Sequence, residues 1–188
     1  ADWVKRTPDQ PVLSKGDQTL TYEMLFKRTQ MLARILRLNG LDRGDVVAVY
    51  GPRSFGLIVN MMAVFLSGGV LLPIDSSLPR QRRQLILQEA RAKFPLYIRD
   101  KGFEDAWWKQ DSTLGIQSLE VDTEGLVKAN TDFDLDAVFL PEPAFTALTI
   151  WQVTFGKSLR IGLMRIITKF FRDPHQLKIQ KDLQKVII

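Results

Sequence analysis

Along residues 11–100 short apolar runs alternate with stretches where apolar residues recur every third or fourth position, the two periods that mark strands and helices. Pro11-Val12-Leu13-Ser14 and Gln18-Thr19-Leu20-Thr21 flank Lys15-Gly16-Asp17, a hairpin signal. Thr21 is placed to cap a helix starting at Tyr22, because its hydroxyl can accept from an amide of the first turn. Leu25, Thr29, Leu32, Ala33 and Leu36 share one face of that helix, and Lys27, Arg28, Arg34 and Arg37 occupy the rest. Asn39-Gly40 ends it, with glycine suited to the left-handed cap. The pattern then predicts a buried strand over Asp45 to Tyr50 and a helix over Phe55 to Leu66. A strand over Val70 to Ile74, a helix over Pro79 to Ala92 and a strand over Phe94 to Ile98 follow. Strands alternating with helices predict a doubly wound, mainly parallel α/β sheet, with Val46 to Val49 and Val70 to Leu72 as inner strands.

Residues 54–74, between Arg53 and Asp75, form 21 positions without a charge. A membrane-spanning helix needs about 20 apolar residues, so length alone permits a span. The interior argues against one. Asn60 stands in the middle, Gly68-Gly69 interrupts the helical pattern, and Pro73 follows closely. Helix, tight turn and buried strand is the better reading.

Composition narrows the chemistry. The 188-residue chain has 45% hydrophobic and 25% charged residues, as an ordinary globular protein does. With no cysteine and only His175, disulfides, thiolate nucleophiles, a Ser-His pair in the body and a histidine metal cluster are all disfavoured. The first ten residues lack the apolar run of a signal peptide. A cytoplasmic location is expected, and the absent initiator methionine suggests a fragment or processed form. Net charge is +5, yet from Trp151 onward eight basic residues face Asp173 and Asp182, giving +6 and leaving the first 150 residues at −1. The basicity belongs to the tail, and no nucleic-acid partner is expected.

Two strings carry a family resemblance. Leu20-Thr21-Tyr22-Glu23-Met24-Leu25 resembles the first core motif of adenylate-forming enzymes, L-T-Y-x-E-L, and the text from Phe65 to Asp75 resembles their second, L-K-A-G-x-A-Y-L-P-[IL]-D. Between and after them Arg28, Leu32, Ala33, Gly40, Gly44-Asp45, Val47-Ala48, Arg53-Ser54, Pro79 and Arg82 fall in the family's order. Residues 1–100 are thus similar to the N-terminal portion of amino-acid adenylation domains of nonribosomal peptide synthetases. Met24, Leu66 and Leu71 depart from the usual Glu, Lys and aromatic. Those changes mark a divergent member.

The resemblance implies an enzyme that makes aminoacyl-AMP from an amino acid and ATP with Mg, then loads the phosphopantetheine of a carrier domain. Carrier and condensation domains would be its partners. In the family a Gly/Ser/Thr-rich loop ending in P-K-G holds the ATP phosphates, and a second lysine lies on a C-terminal domain. Text like Asp134 to Leu140 precedes that loop in the family, but no T-S-G-x-T-G-x-P-K-G occurs here, and the resemblance stops near residue 144. Gly156-Lys157-Ser158 is no P-loop, since Trp151 stands where the first glycine is required. Asp75 reads as a cap for the following turn and Ser54 as a helix cap, in preference to ligand contacts. No catalytic, cofactor-binding or metal-binding residue is therefore assigned in this chain.

Residues 1–144 are read as a partial adenylation domain and 145–188 as a basic tail unlike the family. In the tail Leu159, Leu163, Ile166, Ile167 and Phe170 share a helical face opposite Arg165, Lys169 and Arg172. Such a helix, over residues 155–172, can pack on a sheet, touch an anionic membrane or bind a partner; frameshifted text is a further reading. Alternatives to an inactive synthetase fragment are a non-catalytic interaction or peripheral membrane protein, and a remnant of an acyl-CoA synthetase. A docked tail should resist limited trypsin digestion, whereas rapid cleavage at Lys157, Arg160 and Arg165 with a surviving body would exclude docking.

Overall fold

The computed structural model describes residues 2–100, 118–127, 137–141 and 146–147. The basic helix expected at 155–172 lies outside the described residues. A short helix α1 (Asp2–Arg6), unmarked by any pattern in the sequence, precedes the hairpin of β1 (Pro11–Lys15) and β2 (Gln18–Thr21). Then come α2 (Tyr22–Leu38), β3 (Val46–Tyr50), α3 (Phe55–Leu66) and β4 (Val70–Ile74), followed by α4 (Arg80–Glu89), β5 (Phe94–Arg99), β6 (Leu119–Asp122) and β7 (Thr146–Ala147).

Five strands form a parallel sheet in the order β6-β5-β3-β4-β7. As expected, β3 and β4 are inner strands, paired from Val46 with Val70 to Tyr50 with Ile74. The hairpin signalled around Lys15-Gly16-Asp17 stands apart from that sheet. It is a separate antiparallel pair, because β2 ends on Thr21 and α2 begins on the next residue. Thr21 both ends the strand and caps the helix, its Oγ1 accepting from Met24 N at 3.3 Å.

Side chains alternate across the strands, as the two-residue period of a strand requires. Val47, Val49, Leu71, Leu96 and Ile98 join the core under α2 and α3, while Ala48, Tyr50, Leu72, Ile74 and Tyr97 join a smaller core under α4. Burial on both faces explains why the strands read as continuous apolar runs. The uncharged run divides as expected into α3, a turn and β4. Among the described residues no helix is long and apolar enough to cross a membrane. Gly68, at φ +82°, makes the turn into β4, a conformation that costs glycine little.

Helix α4 is shorter than the expected 79–92. Pro79 precedes it as the N-cap, and Arg91 at φ +49° closes it, with Arg91 N and Ala92 N donating to the carbonyls of Gln88 and Leu87. An arginine there sits in strained backbone, but its charge suits the negative end of the helix dipole.

All twelve residues of α3 are buried. Two polar groups on this side of the sheet stand out. Neither polar side-chain atom of Asn60, fully buried in α3, meets a hydrogen-bond partner, and neither does Thr29 Oγ1 on α2. A buried polar group left unpaired costs about 1–3 kcal/mol. The tightest approach lies at the start of α3, where a Cβ on Gly56 would come 2.2 Å from the Asp122 carbonyl oxygen. Backbone cannot yield as a flexible side chain does, so Gly56→Ala should destabilise the chain by about 1–3 kcal/mol. Urea denaturation would read this as a lower midpoint.

Candidate functional site

In open α/β sheets ligands bind beyond the carboxyl ends of the strands. Here that edge carries Gly51-Pro52-Arg53-Ser54 after β3, Asp75 to Pro79 after β4, and the turn Asp122 to Leu126 after β6. The N-terminus of α3 opens onto it, and helix N-termini attract anions. Its amides are already engaged. Ser54 Oγ accepts from Leu57 N at 3.2 Å, and Gly56 N donates to the Thr123 carbonyl at 2.8 Å. The Asp122 turn therefore takes up one of the amides of this helix start.

That turn is held from several sides. Asp122 Oδ1 accepts from Glu124 N at 2.9 Å and from Leu126 N at 2.7 Å. Arg28, on α2, donates through Nη1 to the Glu124 carbonyl, and the same nitrogen lies 3.6 Å from the Glu124 carboxylate. Arg28 was legible in the sequence as a family position; its partner, 96 residues away, was not.

The two sequence candidates have structural roles. Asp75 Oδ1 accepts from Ser77 N at 2.8 Å, and Ser54 caps α3. The Arg53 carbonyl accepts from Lys15 Nζ at 3.1 Å, which ties the hairpin to the loop after β3. The structure does not gather these groups into a catalytic arrangement.

A buried aromatic and cationic group was missed. Tyr50 and Tyr97, register partners on β3 and β5, stack at 6.3 Å. The Arg83 guanidinium lies 5.0 Å from the Tyr50 ring centroid and donates to its hydroxyl. The available signal was helical spacing: Arg83 shares a face with Ile86 and Leu87, so an inward arginine could be read there. The arrangement pins the first turn of α4 to the sheet.

A groove of about 210 Å³ beside β6 is lined by Arg99, Ser118, Glu120, Asp122, Leu126 and Val127, among others. Among the described residues no group of three or more His, Cys, Asp or Glu could hold a metal.

At the opposite end of the sheet a charge cluster joins the α2–β3 and α4–β5 connections. Lys93 Nζ reaches Asp45 Oδ2 at 2.6 Å and donates to the Gly40 carbonyl at 2.8 Å. Asp42 N donates to Asp45 Oδ2 at 2.7 Å, and Arg37 stands 3.8 Å from the Asp42 carboxylate. Burial raises the Asp45 pKa, but the Lys93 and Asp42 N–H bonds and the charges of Lys93 and Arg37 together hold it below the ordinary value of 3.8. The hydrogen bond to Asp45 raises Lys93 above 10.5.

The family model for AMP-binding enzymes matches residues 1–149. The chain belongs to this family. Bacitracin synthase 1 of Bacillus licheniformis is 36% identical over 91 residues, which cover 48% of this chain and 2% of that synthase. Tyrocidine synthase 3 of Brevibacillus parabrevis is 38% identical over 91 residues, 48% of this chain and 1% of its own length. Among solved structures, the N-terminal subdomain of Klebsiella oxytoca NpsA in complex with 3-hydroxybenzoyl-AMSN aligns over 63% of this chain and 28% of that one, at 26% identity and a TM-score of 0.51. O-succinylbenzoate coenzyme A synthetase (MenE) of Bacillus subtilis in complex with AMP aligns over 75% of this chain and 34% of its own, at 21% identity and a TM-score of 0.59. The parallel sheet is that of the adenylate-forming N-terminal subdomain.

The Asp45–Lys93 pair makes a pH prediction. A lowered carboxylate pKa contributes stability above the unfolded value of 3.8 and loses it as pH falls through the folded value. The raised lysine contributes below 10.5 and loses its share as pH rises through the folded value. Lys93→Met should therefore lower the thermal midpoint at pH 7. The difference from wild type should shrink as pH falls below about 4, which thermal melts across that range would measure.

Proposed function

We propose that this chain supplies the N-terminal layer of an amino-acid adenylation domain of a nonribosomal peptide synthetase. The intact domain would join an amino acid to ATP, with Mg, as aminoacyl-AMP and release pyrophosphate. It would then pass the acyl group to phosphopantetheine on a carrier domain, beside a condensation domain, in the cytoplasm. The observation that carries this reading is the 36–38% identity to bacitracin and tyrocidine synthases, set within a family match over residues 1–149. The acyl-CoA synthetase alternative has only fold likeness behind it, at 21% identity.

Within such a domain these residues are scaffold. Ser54, Gly56, Asp75 and Asp122 spend their hydrogen bonds on backbone, and the sequence contains no T-S-G-x-T-G-x-P-K-G loop. Preorganised donors around the transferring phosphate supply most of the acceleration in such reactions. On this reading the chain alone is inert.

The purified 188-residue chain should give no amino-acid-dependent exchange of labelled pyrophosphate into ATP above a blank without protein. Exchange that disappears on mutation within this chain would overturn the reading.

A further inference from the structure

We propose that Asn39 is a latent deamidation site, shielded by the closed C-terminal cap of α2 and reactive when that cap opens. Asn39-Gly40 is the one asparagine–glycine pair in the chain. Asparagine is among the thermolabile side chains, and a following glycine leaves its own backbone nitrogen uncrowded by a Cβ. Asn60 and Asn130 are followed by Met61 and Thr131 instead. Asn39 is half-buried and Gly40 exposed, so water and hydroxide reach the pair.

The reaction needs no partner but solvent. Hydroxide removes the proton of Gly40 N, and that nitrogen attacks Asn39 Cγ. The new N–Cγ bond closes a succinimide ring while the Cγ–Nδ2 bond breaks. Nδ2 leaves as ammonia, taking a proton from water and so restoring the hydroxide. Water then opens the ring at either carbonyl, leaving aspartate or isoaspartate at position 39.

The cap blocks the ring closure. Gly40 N donates to the Arg37 carbonyl at 3.0 Å, and Asn39 Nδ2 donates to the Ile35 carbonyl at 2.8 Å. The attacking nitrogen and the leaving group are therefore held on different carbonyls. At φ −80° and ψ 13° the Asn39 Cβ and the Gly40 nitrogen are rotated well apart about the Cα–C bond, whereas the ring needs them eclipsed. Gly40 stands at φ +85°, and Lys93 Nζ donates to its carbonyl at 2.8 Å, which ties the same residue to the α4–β5 connection. After reaction the cap cannot close as before. A carboxylate has no N–H for the Ile35 carbonyl and sets a negative charge at the negative end of the α2 dipole. Isoaspartate also adds a main-chain carbon, which displaces Gly40 N and Leu41 N from the carbonyls of Arg37 and Leu36 that they now meet. The site thus keeps a one-way record of openings at this helix end.

The test holds the purified full chain at mildly alkaline pH, folded and in guanidinium chloride, and follows conversion at each asparagine by peptide mass spectrometry. In denaturant Asn39 should convert ahead of Asn60 and Asn130. In the folded chain its rate should be lower by about tenfold or more, because two hydrogen bonds must open first. Equal rates in the two conditions, or an Asn39 no faster than Asn60 in denaturant, would overturn the proposal. Asn39→Asp should raise the unfolding equilibrium constant in urea about tenfold. A midpoint unchanged from wild type would refute the one-way cap. If that variant does not fold, the wild-type comparison still decides, since it uses no substitution.

Discussion

Helix α3 is confined by strands on one side, by α2 on another and by the Asp122 turn at its first residues, and this confinement shapes much of the structure around it. A helix with no solvent face has no place for charged side chains, which produces the uncharged run. It must also meet its neighbours closely, so Gly56 lies against the Asp122 carbonyl and Gly68 turns the chain at once into β4. Strand β4 then enters between β3 and β7, buried on both faces, and needs the same apolar character. One packing requirement thus accounts for the chain from Ser54 to Ile74.

The same requirement explains what the sequence made legible. Boundaries of α2, α3, β3 and β4 could be read closely because their caps and glycines are local signals: Thr21 and Ser54 start helices, and Gly68 ends one. Strands β6 and β7 could not. They are short, and their pairing comes from partners far away in sequence, Leu96 with Leu119 and Val70 with Thr146. Likewise Asp75 and Ser54 were readable as caps, since each bonds within three residues. The Arg28–Glu124 link and the Tyr50–Arg83 contact join distant segments, and no local pattern encodes such partners.

The polar residues of this edge illustrate how position alone misleads about function. A helix N-terminus at the carboxyl edge of a parallel sheet is where a phosphate would be sought. In this chain two of its amides are already engaged, one by the Thr123 carbonyl of a neighbouring turn and one by the hydroxyl of its own cap, Ser54. Here Ser54, Gly56 and Asp122 spend their hydrogen bonds on backbone and serve the local framework.

The strand order has a consequence for synthesis. Hairpin partners Lys15 and Gln18 are three residues apart, Val46 and Val70 are 24 apart, and Val47 and Phe94 are 47 apart. The entropy of closing a loop grows with its length, and a ribosome delivers segments in chain order. The hairpin therefore closes first, β3 and β4 pair next, and β5 then joins on the far side of β3, ahead of β6 and β7. Until then the central strand presents a bare, apolar edge from Val47 to Tyr50. An emerging chain halted between residues 75 and 93 is consequently the species with most to gain from a chaperone.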